Sequence, residues 1–356
     1  MRPLVPRRFA VVRHTVLAAM LAAGALAHAL AQPFPPQAGE VATTRLAARP
    51  PIDAETEARV LAVDPDHISA ADVRDVLSHA PAPRIICLQG SVALITMQPF
   101  AEFLIAMGYP ESRLRNPVDG SMSQSSFADS EKLAGTLAWY YETEGMVPML
   151  IGHSQGGMLV IKTLYELAGE FNDKLAVWNP VTDQSERRFT ITDPLDGKDR
   201  PVVGLKVPYA AALATGRLFR ILLGQWAMLD RLRAIPDSVD EFTGFIIEWD
   251  PLALFGSDPY RATGTARVRT VMLPASTSHI GMPQAKELAL NPVTRAWIDE
   301  YRPGRGARPP ADAGIDTSNI IHAADIWYSV RRHWALEAQK LIRAHREGGV
   351  TNSGGQ

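Results

Sequence analysis

The chain has 356 residues, with 36 lysines and arginines against 38 aspartates and glutamates, for a formal net charge of −2. This near balance argues against an electrostatic nucleic-acid binder, because such proteins need a basic surplus to neutralise phosphates. A single cysteine, Cys87, excludes an intrachain disulfide, so stability must come from a buried core. A chain of this length buries about three quarters of its unfolded surface, which is enough for one large domain.

Residues 1–31 have the composition of a secretory signal peptide. Four arginines and no acidic residue make a basic start, and an uncharged, alanine-rich stretch runs from 15 to 30. Ala29-Leu30-Ala31 then offers an A-x-A cleavage site. The Arg7-Arg8 pair also permits twin-arginine export, but the general route is favoured. We expect a mature chain of 325 residues, with 32 basic and 38 acidic side chains, in the bacterial periplasm or outside the cell, without a stable membrane anchor.

The rest of the chain is predicted to be an N-terminal extension, 32–66, followed by one domain, 67–346. The extension begins with a proline- and alanine-rich stretch that has no periodicity. In the domain, short apolar runs alternate with helical patterns, which is typical of an α/β fold with a mostly parallel sheet flanked by helices. The predicted strands are 84–88, 114–118, 149–151, 175–178, 242–249 and 267–273, and the main helices are 100–107, 127–144, 158–167, 286–301 and 319–346.

This alternation breaks between residues 182 and 241. The part from Tyr209 to Leu232 is strongly apolar, and we interpret it as helical. Because no strand is recognised there, the segment is predicted to be a helical cap insertion above the sheet.

The most informative motif is Gly152-His153-Ser154-Gln155-Gly156, a G-x-S-x-G pattern. An apolar run precedes it, and a helical pattern opens immediately after it. A strand, a glycine-flanked serine and a helix form a nucleophile elbow, in which a strained turn lifts the serine hydroxyl clear of the sheet. The flanking glycines avoid clashes in that turn, and the helix N-terminus faces any negative charge that forms there.

With an acid and a histidine following at the ends of later strands, the chain resembles the α/β-hydrolase superfamily of esterases and lipases. The resemblance covers roughly 84–301, and the elbow is its specific part. It implies the order serine, acid, histidine, with Ser154 as the nucleophile, Asp250 as the acid and His279 as the base.

The residues themselves support these roles and leave two alternatives. A serine needs a base within hydrogen-bond reach, and a carboxylate must orient that base. His279 lies in a loop after a late strand, where the base is expected, while His322 near the start of the final helix is its competitor. Asp250 ends a strand, whereas Asp258 lies eight residues further on in a turn-rich stretch. His153 adjoins the serine but is expected to point to another side of the elbow.

An oxyanion hole needs two N–H donors. The backbone N–H of Gln155 is the first candidate, because it follows the nucleophile. The second should come from the loop Gln89-Gly90-Ser91, with Ser91 preferred over Gln89.

The sequence therefore predicts a secreted serine hydrolase that cleaves small-molecule carboxylic esters, with an apolar acyl or alkyl part in the substrate. No cofactor, metal or nucleic-acid partner is expected. Two alternatives stay open: other acyl-transfer chemistry on the same residues (amidase, thioesterase or acyltransferase), and a non-catalytic hydrolase-like protein that binds a ligand.

Overall fold

The computed structural model describes residues 52–216, 226–228, 230–253, 258–306 and 308–353. The predicted signal peptide, the proline-rich start of the extension and part of the predicted cap lie outside these residues. The helices are α1 (Ala54–Ala62), α2 (Ala70–Asp75), α3 (Gln98–Ala106), α4 (Ser130–Glu144), α5 (Gln155–Leu167), α6 (Lys286–Leu290), α7 (Pro292–Glu300) and α8 (Ile320–Ser353). The strands are β1 (Ile85–Leu88), β2 (Met149–His153), β3 (Trp178–Asn179), β4 (Gln184–Ser185), β5 (Thr190–Thr192), β6 (Asp199–Pro201), β7 (Val207–Leu213), β8 (Ala234–Ile235), β9 (Val239–Ile247), β10 (Arg261–Ala262) and β11 (Arg267–Leu273).

The central sheet has the strand order β1-β2-β7-β9-β11, and every pairing in it is parallel. The predicted α/β class, with a parallel sheet between helices, is therefore confirmed. In a parallel sheet the carboxyl ends of all strands lie at one edge. The loops that follow β1, β2, β9 and β11 consequently meet there, and they carry the residues selected from the sequence.

Side chains alternate between two apolar layers, one on each face of the sheet, because successive residues of a strand point in opposite directions. In β9, Phe242 and Ile246 belong to one layer, and Phe245 and Ile247 to the other. The first layer is covered mainly by α4 and α5, and the second by α1, α3 and α8. Burial on both faces explains why the strands read as continuous apolar runs.

The long final helix α8 confirms the helix predicted at 319–346 and anchors the segment before the domain. Trp327 and Trp334 of α8 are fully buried. Gln339 donates from Nε2 to the carbonyls of Val60 and Val63, at 3.0 and 2.8 Å. The last part of the predicted extension, α1, is therefore packed into the domain. Among the described helices, none combines the length and the apolar composition that a membrane span requires.

The prediction of a helical cap over 182–241 is wrong for much of its length. Val207–Leu213 is β7, the central strand of the sheet, and Val239 begins β9. The segment before β7 contains short antiparallel pairs, β3 with β4 and β5 with β6. The alanines of β7 favour a helix locally, but burial between two strands and two helical layers overrides that preference. Residues 217–225 of the predicted cap lie outside the described part.

Two smaller strand predictions are also wrong. Residues 114–118 follow a short 3₁₀ helix, Glu111–Arg113, and form a turn. Of the strand predicted at 175–178, only Trp178 lies in a strand, and β3 pairs with β4 outside the central sheet.

Candidate active site

Ser154 lies in a strained turn between β2 and α5. Its φ of 54° and ψ of −116° fall in a region that side-chain-bearing residues rarely adopt. Ser154 N donates to the carbonyl of Leu213 at 2.7 Å, and Thr215 Oγ1 donates to the carbonyl of Ser154 at 3.0 Å. Both partners follow or end β7, so the neighbouring strand holds a backbone conformation that costs about 1–3 kcal/mol.

The glycines of the motif are required by close backbone contacts. A Cβ on Gly152 would lie 2.4 Å from the carbonyl carbon of Gly156. A Cβ on Gly156 would lie 2.2 Å from the carbonyl oxygen of Leu88. Helix α5 can begin this close to β1 and β2 only because neither position carries a side chain.

We expect Gly152→Ala to lower the free energy of unfolding by about 2–3 kcal/mol, because the added methyl overlaps backbone that cannot rotate away. Gly197→Ala is the control. Gly197 has a φ of 72° and open space around it, so alanine there costs only about 1 kcal/mol of backbone strain. Urea denaturation followed by circular dichroism measures both. Equal losses of unfolding free energy in the two variants would contradict the close contact between Gly152 and Gly156.

The structure brings Ser154, His279 and Asp250 together. His279 Nε2 lies 3.0 Å from Ser154 Oγ, and His279 Nδ1 lies 2.6 Å from Asp250 Oδ2. A carboxylate only accepts hydrogen bonds, so Nδ1 carries the ring proton and Nε2 is free to accept one from the serine. The three side chains are therefore arranged for a proton to move from Ser154 to His279.

Asp250 is held in place on both of its oxygens. Oδ1 accepts from the backbone N–H groups of Leu252 and Ala253, at 2.9 and 3.2 Å, while Oδ2 receives His279. The carboxylate is 3% exposed. The same side chain thus caps the turn after β9 and orients the histidine. The alternative acid, Asp258, is exposed, and the hydrogen bond from His279 does not go to it.

We expect Asp250→Asn to lower kcat for an activated ester by about 10³- to 10⁴-fold, because an amide can leave the imidazole in the wrong tautomer. Asp258→Asn is the matched control and should stay within about twofold of the unmodified protein. Steady-state hydrolysis of p-nitrophenyl butyrate compares the two. A larger loss in the Asp258 variant would transfer the orienting role to that residue.

His153 has a contact that the sequence did not reveal. Its Nε2 donates to the backbone carbonyl of His279 at 2.8 Å, so its ring reaches the loop that carries His279. Burial, together with the nearby His279, lowers the pKa of His153 to about 3. The sequence placed His153 on another side of the elbow; in the structure its ring lies beside that of His279, with 5.2 Å between the ring centroids. In the sequence, only the position of His153 next to Ser154 hinted at this contact. The contact itself depends on where the loop after β11 folds.

His322, the alternative base, lies in the core. Its Nε2 donates to the carbonyl of Met282 at 2.9 Å, and its ring packs against Phe100 and Phe245. Burial lowers its pKa to about 4. Its hydrogen bond goes to backbone, and the ring that contacts Ser154 is that of His279.

The neutral state of the buried histidines predicts a loss of stability in acid. Histidine titrates near 6.5 when unfolded, whereas His153 and His322 titrate near 3 and 4 in the fold. Below about pH 6.5 the unfolded chain therefore binds more protons. The stabilisation is complete above pH 6.5 and is lost as the pH falls toward 4, by up to about 1.4 kcal/mol per pH unit for each histidine.

Comparison with His322→Gln isolates one of the two contributions, since other buried groups titrate in both proteins. Urea unfolding between about pH 7 and pH 5 should show a shallower loss in the variant. If the free energy of unfolding fell equally with pH in both proteins, protonation of His322 would not be a cause of the acid destabilisation.

The two proposed oxyanion donors face different constraints. Gln155 is the first residue of α5, and the first N–H groups of a helix have no acceptor within it. A Cβ on Gly90 would lie 3.2 Å from Ser154 Cβ, so the loop after β1 lies directly beside Ser154. The N–H of Gln89 donates to the carbonyl of Gln124 at 2.9 Å. This bond occupies the N–H of Gln89, so Gln89 is the weaker of the two candidates in this loop.

Large apolar side chains are exposed on the loops at this edge of the sheet. Leu94 is 94% exposed in the loop after β1, Trp249 is 72% exposed just before Asp250, and Ile280 is 54% exposed just after His279. A cavity of about 210 Å³ lies between the last two, with Asp250 and His279 in its lining. Apolar surface of this kind beside Asp250 and His279 suits an apolar ligand.

In the described ranges, no group of three or more histidine, cysteine, aspartate or glutamate side chains is arranged to hold a metal ion. Comparisons of the chain with protein-family models, with curated proteins and with solved structures find no match. The features that characterise this chain are therefore its α/β class and the contacts of Ser154.

Proposed function

We propose that this protein is a serine hydrolase of the α/β-hydrolase superfamily that cleaves carboxylic esters through an acyl-enzyme at Ser154. The observation that carries the proposal is the hydrogen-bonded order Asp250, His279, Ser154, built on a strained turn at the carboxyl edge of a parallel sheet. A buried serine with only a structural role would need neither a strained backbone nor a hydrogen bond to a histidine.

In the acylation step, Ser154 Oγ attacks the ester carbonyl carbon while His279 Nε2 takes its proton. Asp250 stabilises the resulting imidazolium across the 2.6 Å bond. The carbonyl oxygen becomes negative, and the backbone N–H groups of Gln155 and Ser91 are proposed to bind it. Loss of one such donor typically lowers turnover about 10²- to 10³-fold.

The alcohol then leaves with the proton held by His279, and the acyl group stays on Ser154. A water molecule donates its proton to His279 Nε2 and attacks the acyl carbon. Collapse of this second intermediate releases the acid and returns the proton to Ser154. Every proton transfer therefore uses His279 Nε2, which lies 3.0 Å from Ser154 Oγ.

The substrate class is proposed from the apolar side chains around the site. Leu94, Trp249 and Ile280 are exposed on the loops that follow β1, β9 and β11, at the edge of the sheet that carries Ser154 and His279. An ester with an apolar acyl or alkyl part would cover them. The signal-peptide composition of residues 1–31 further supports a periplasmic or secreted location.

Two measurements test the activity. A fluorophosphonate probe should label the folded protein at Ser154, and p-nitrophenyl esters of increasing acyl length should be hydrolysed, with longer chains favoured. The matched anilide and thioester decide between ester, amide and thioester chemistry. A folded protein that neither labels nor turns over any of these substrates would be a ligand-binding protein instead.

A further inference from the structure

A second, charged cavity lies at the opposite edge of the sheet from Ser154. It has a volume of about 680 Å³. Glu241, near the start of β9, lies in its lining, whereas Asp250 follows the end of that strand, so roughly 20 Å of strand separates the two sites. We call it the arginine cavity, after the five arginines that line it together with Glu241: Arg267, Arg269, Arg302, Arg305 and Arg332.

Three carboxylates compensate the arginines only in part. Glu241 is shared among Arg269 at 3.3 Å and Arg267 and Arg332 at 3.5 Å each. Asp325 pairs with Arg269 at 2.8 Å, and Asp66 pairs with Arg332 at 2.6 Å. Burial alone would raise the pKa of Glu241, but His333 and Arg269 outweigh it and lower that pKa to about 2, so the carboxylate is charged. Five guanidiniums against three carboxylates leave two positive charges in excess.

The excess resides on Arg302 and Arg305. Arg302 donates from Nη1 to the backbone carbonyls of Asp299 and Tyr301, which leaves its charge unpaired by a carboxylate in the described ranges. For Arg305, the described part of the chain shows no side-chain hydrogen bond or ion pair. Two guanidinium groups at one cavity are therefore available to an external anion.

The loop that carries Arg305 is shaped by its flanking glycines. Gly304 and Gly306 have φ values of 79° and 62°, and a Cβ at either would meet nothing within 4 Å. Their backbone conformation, rather than lack of space, requires glycine. The turn thereby has a defined shape that presents Arg305 at the cavity.

We propose that the arginine cavity binds a small multivalent anion that carries phosphate or carboxylate groups, at a site separate from the hydrolytic one. Guanidinium groups bind both kinds of oxyanion with paired, charge-assisted hydrogen bonds. The volume exceeds that of a single ion and suits a small molecule. Binding would relieve repulsion among the arginines and should stabilise the fold.

Isothermal titration calorimetry with pyrophosphate and with citrate tests the site, at a constant ionic strength of about 0.15 M. The two ligands distinguish phosphate from carboxylate recognition. We expect saturable binding of at least one, with an affinity about tenfold weaker in Arg305→Ala and weaker still in Arg305→Glu. Arg187→Ala removes an exposed arginine that lies outside the cavity lining, and it should bind like the unmodified protein.

Thermal unfolding shows that each variant is folded and gives a second readout, since a bound anion raises Tm. Absence of saturable binding of both ligands to the unmodified protein would overturn the proposal. Equal weakening by Arg305→Ala and Arg187→Ala would also overturn it, because it would indicate nonspecific charge attraction. Neither readout depends on ester turnover, so this inference and the proposed function stand or fall separately.

Discussion

Replacement of Ser154 by alanine is expected to lower kcat for an activated ester by about 10⁴- to 10⁶-fold, because the proposed acyl-enzyme forms on the Ser154 hydroxyl, which alanine lacks. The same change should abolish labelling by a fluorophosphonate. The measurement is hydrolysis of p-nitrophenyl butyrate together with mass spectrometry of the labelled protein.

The strain at Ser154 makes the control important, because alanine at φ 54° keeps the same backbone cost. The variant should therefore retain the unfolding midpoint of the parent. Ser185→Ala, in the distant strand β4, removes a hydroxyl without touching the site and should keep full activity. Labelling or turnover that survives in folded Ser154→Ala would remove this residue as the nucleophile.

Replacement of His279 by glutamine is the second large effect, with an expected loss in kcat of about 10⁴-fold or more. Glutamine can still contact Ser154 and Asp250, but it cannot take up a proton at neutral pH. The loss should therefore appear mainly in kcat rather than in KM. Steady-state kinetics over a range of ester concentrations separates the two parameters.

His322→Gln provides the matched comparison, because the same substitution is made at the other late histidine. Its Nε2 bonds only to the carbonyl of Met282 in the core, and glutamine can replace that donor. We expect a loss of stability but nearly unchanged kcat per folded molecule. If the His322 variant lost activity and the His279 variant kept it, the roles of the two residues would be reversed.

Local sequence signals predicted several elements closely. The strand at 267–273 has the bounds of β11. Ser69-Ala-Ala-Asp72 has the sequence pattern of a capping box, and these two residues form one at the start of α2, with Asp72 Oδ2 accepting from Ser69 N at 2.8 Å. These features depend on neighbours within a few residues. They are therefore visible in the sequence without knowledge of the fold.

β7 shows where the same reasoning failed. Val207-Pro-Tyr-Ala-Ala-Ala-Leu213 is buried along its whole length, so it has no alternation of apolar and polar residues. Alanine favours helices, and a continuous apolar run fits a buried helix as well as a buried strand. Only pairing with β2 on one side and β9 on the other decides between them.

A side chain at Gly156 is excluded by Leu88 of β1, a contact that depends on the fold. The sequence nevertheless reveals the elbow, because Gly152 is held to glycine by contact with Gly156 within one strand, turn and helix. It also narrowed the acid and base to two candidates each. Which of these residues meet depends on the fold, because Ser154, Asp250 and His279 are up to 125 positions apart and come together only when β2, β7, β9 and β11 align in parallel. The contact of His153 with His279 and the arginine cavity likewise arise from segments distant in the chain, whose proximity depends on strand order and on the packing of α8.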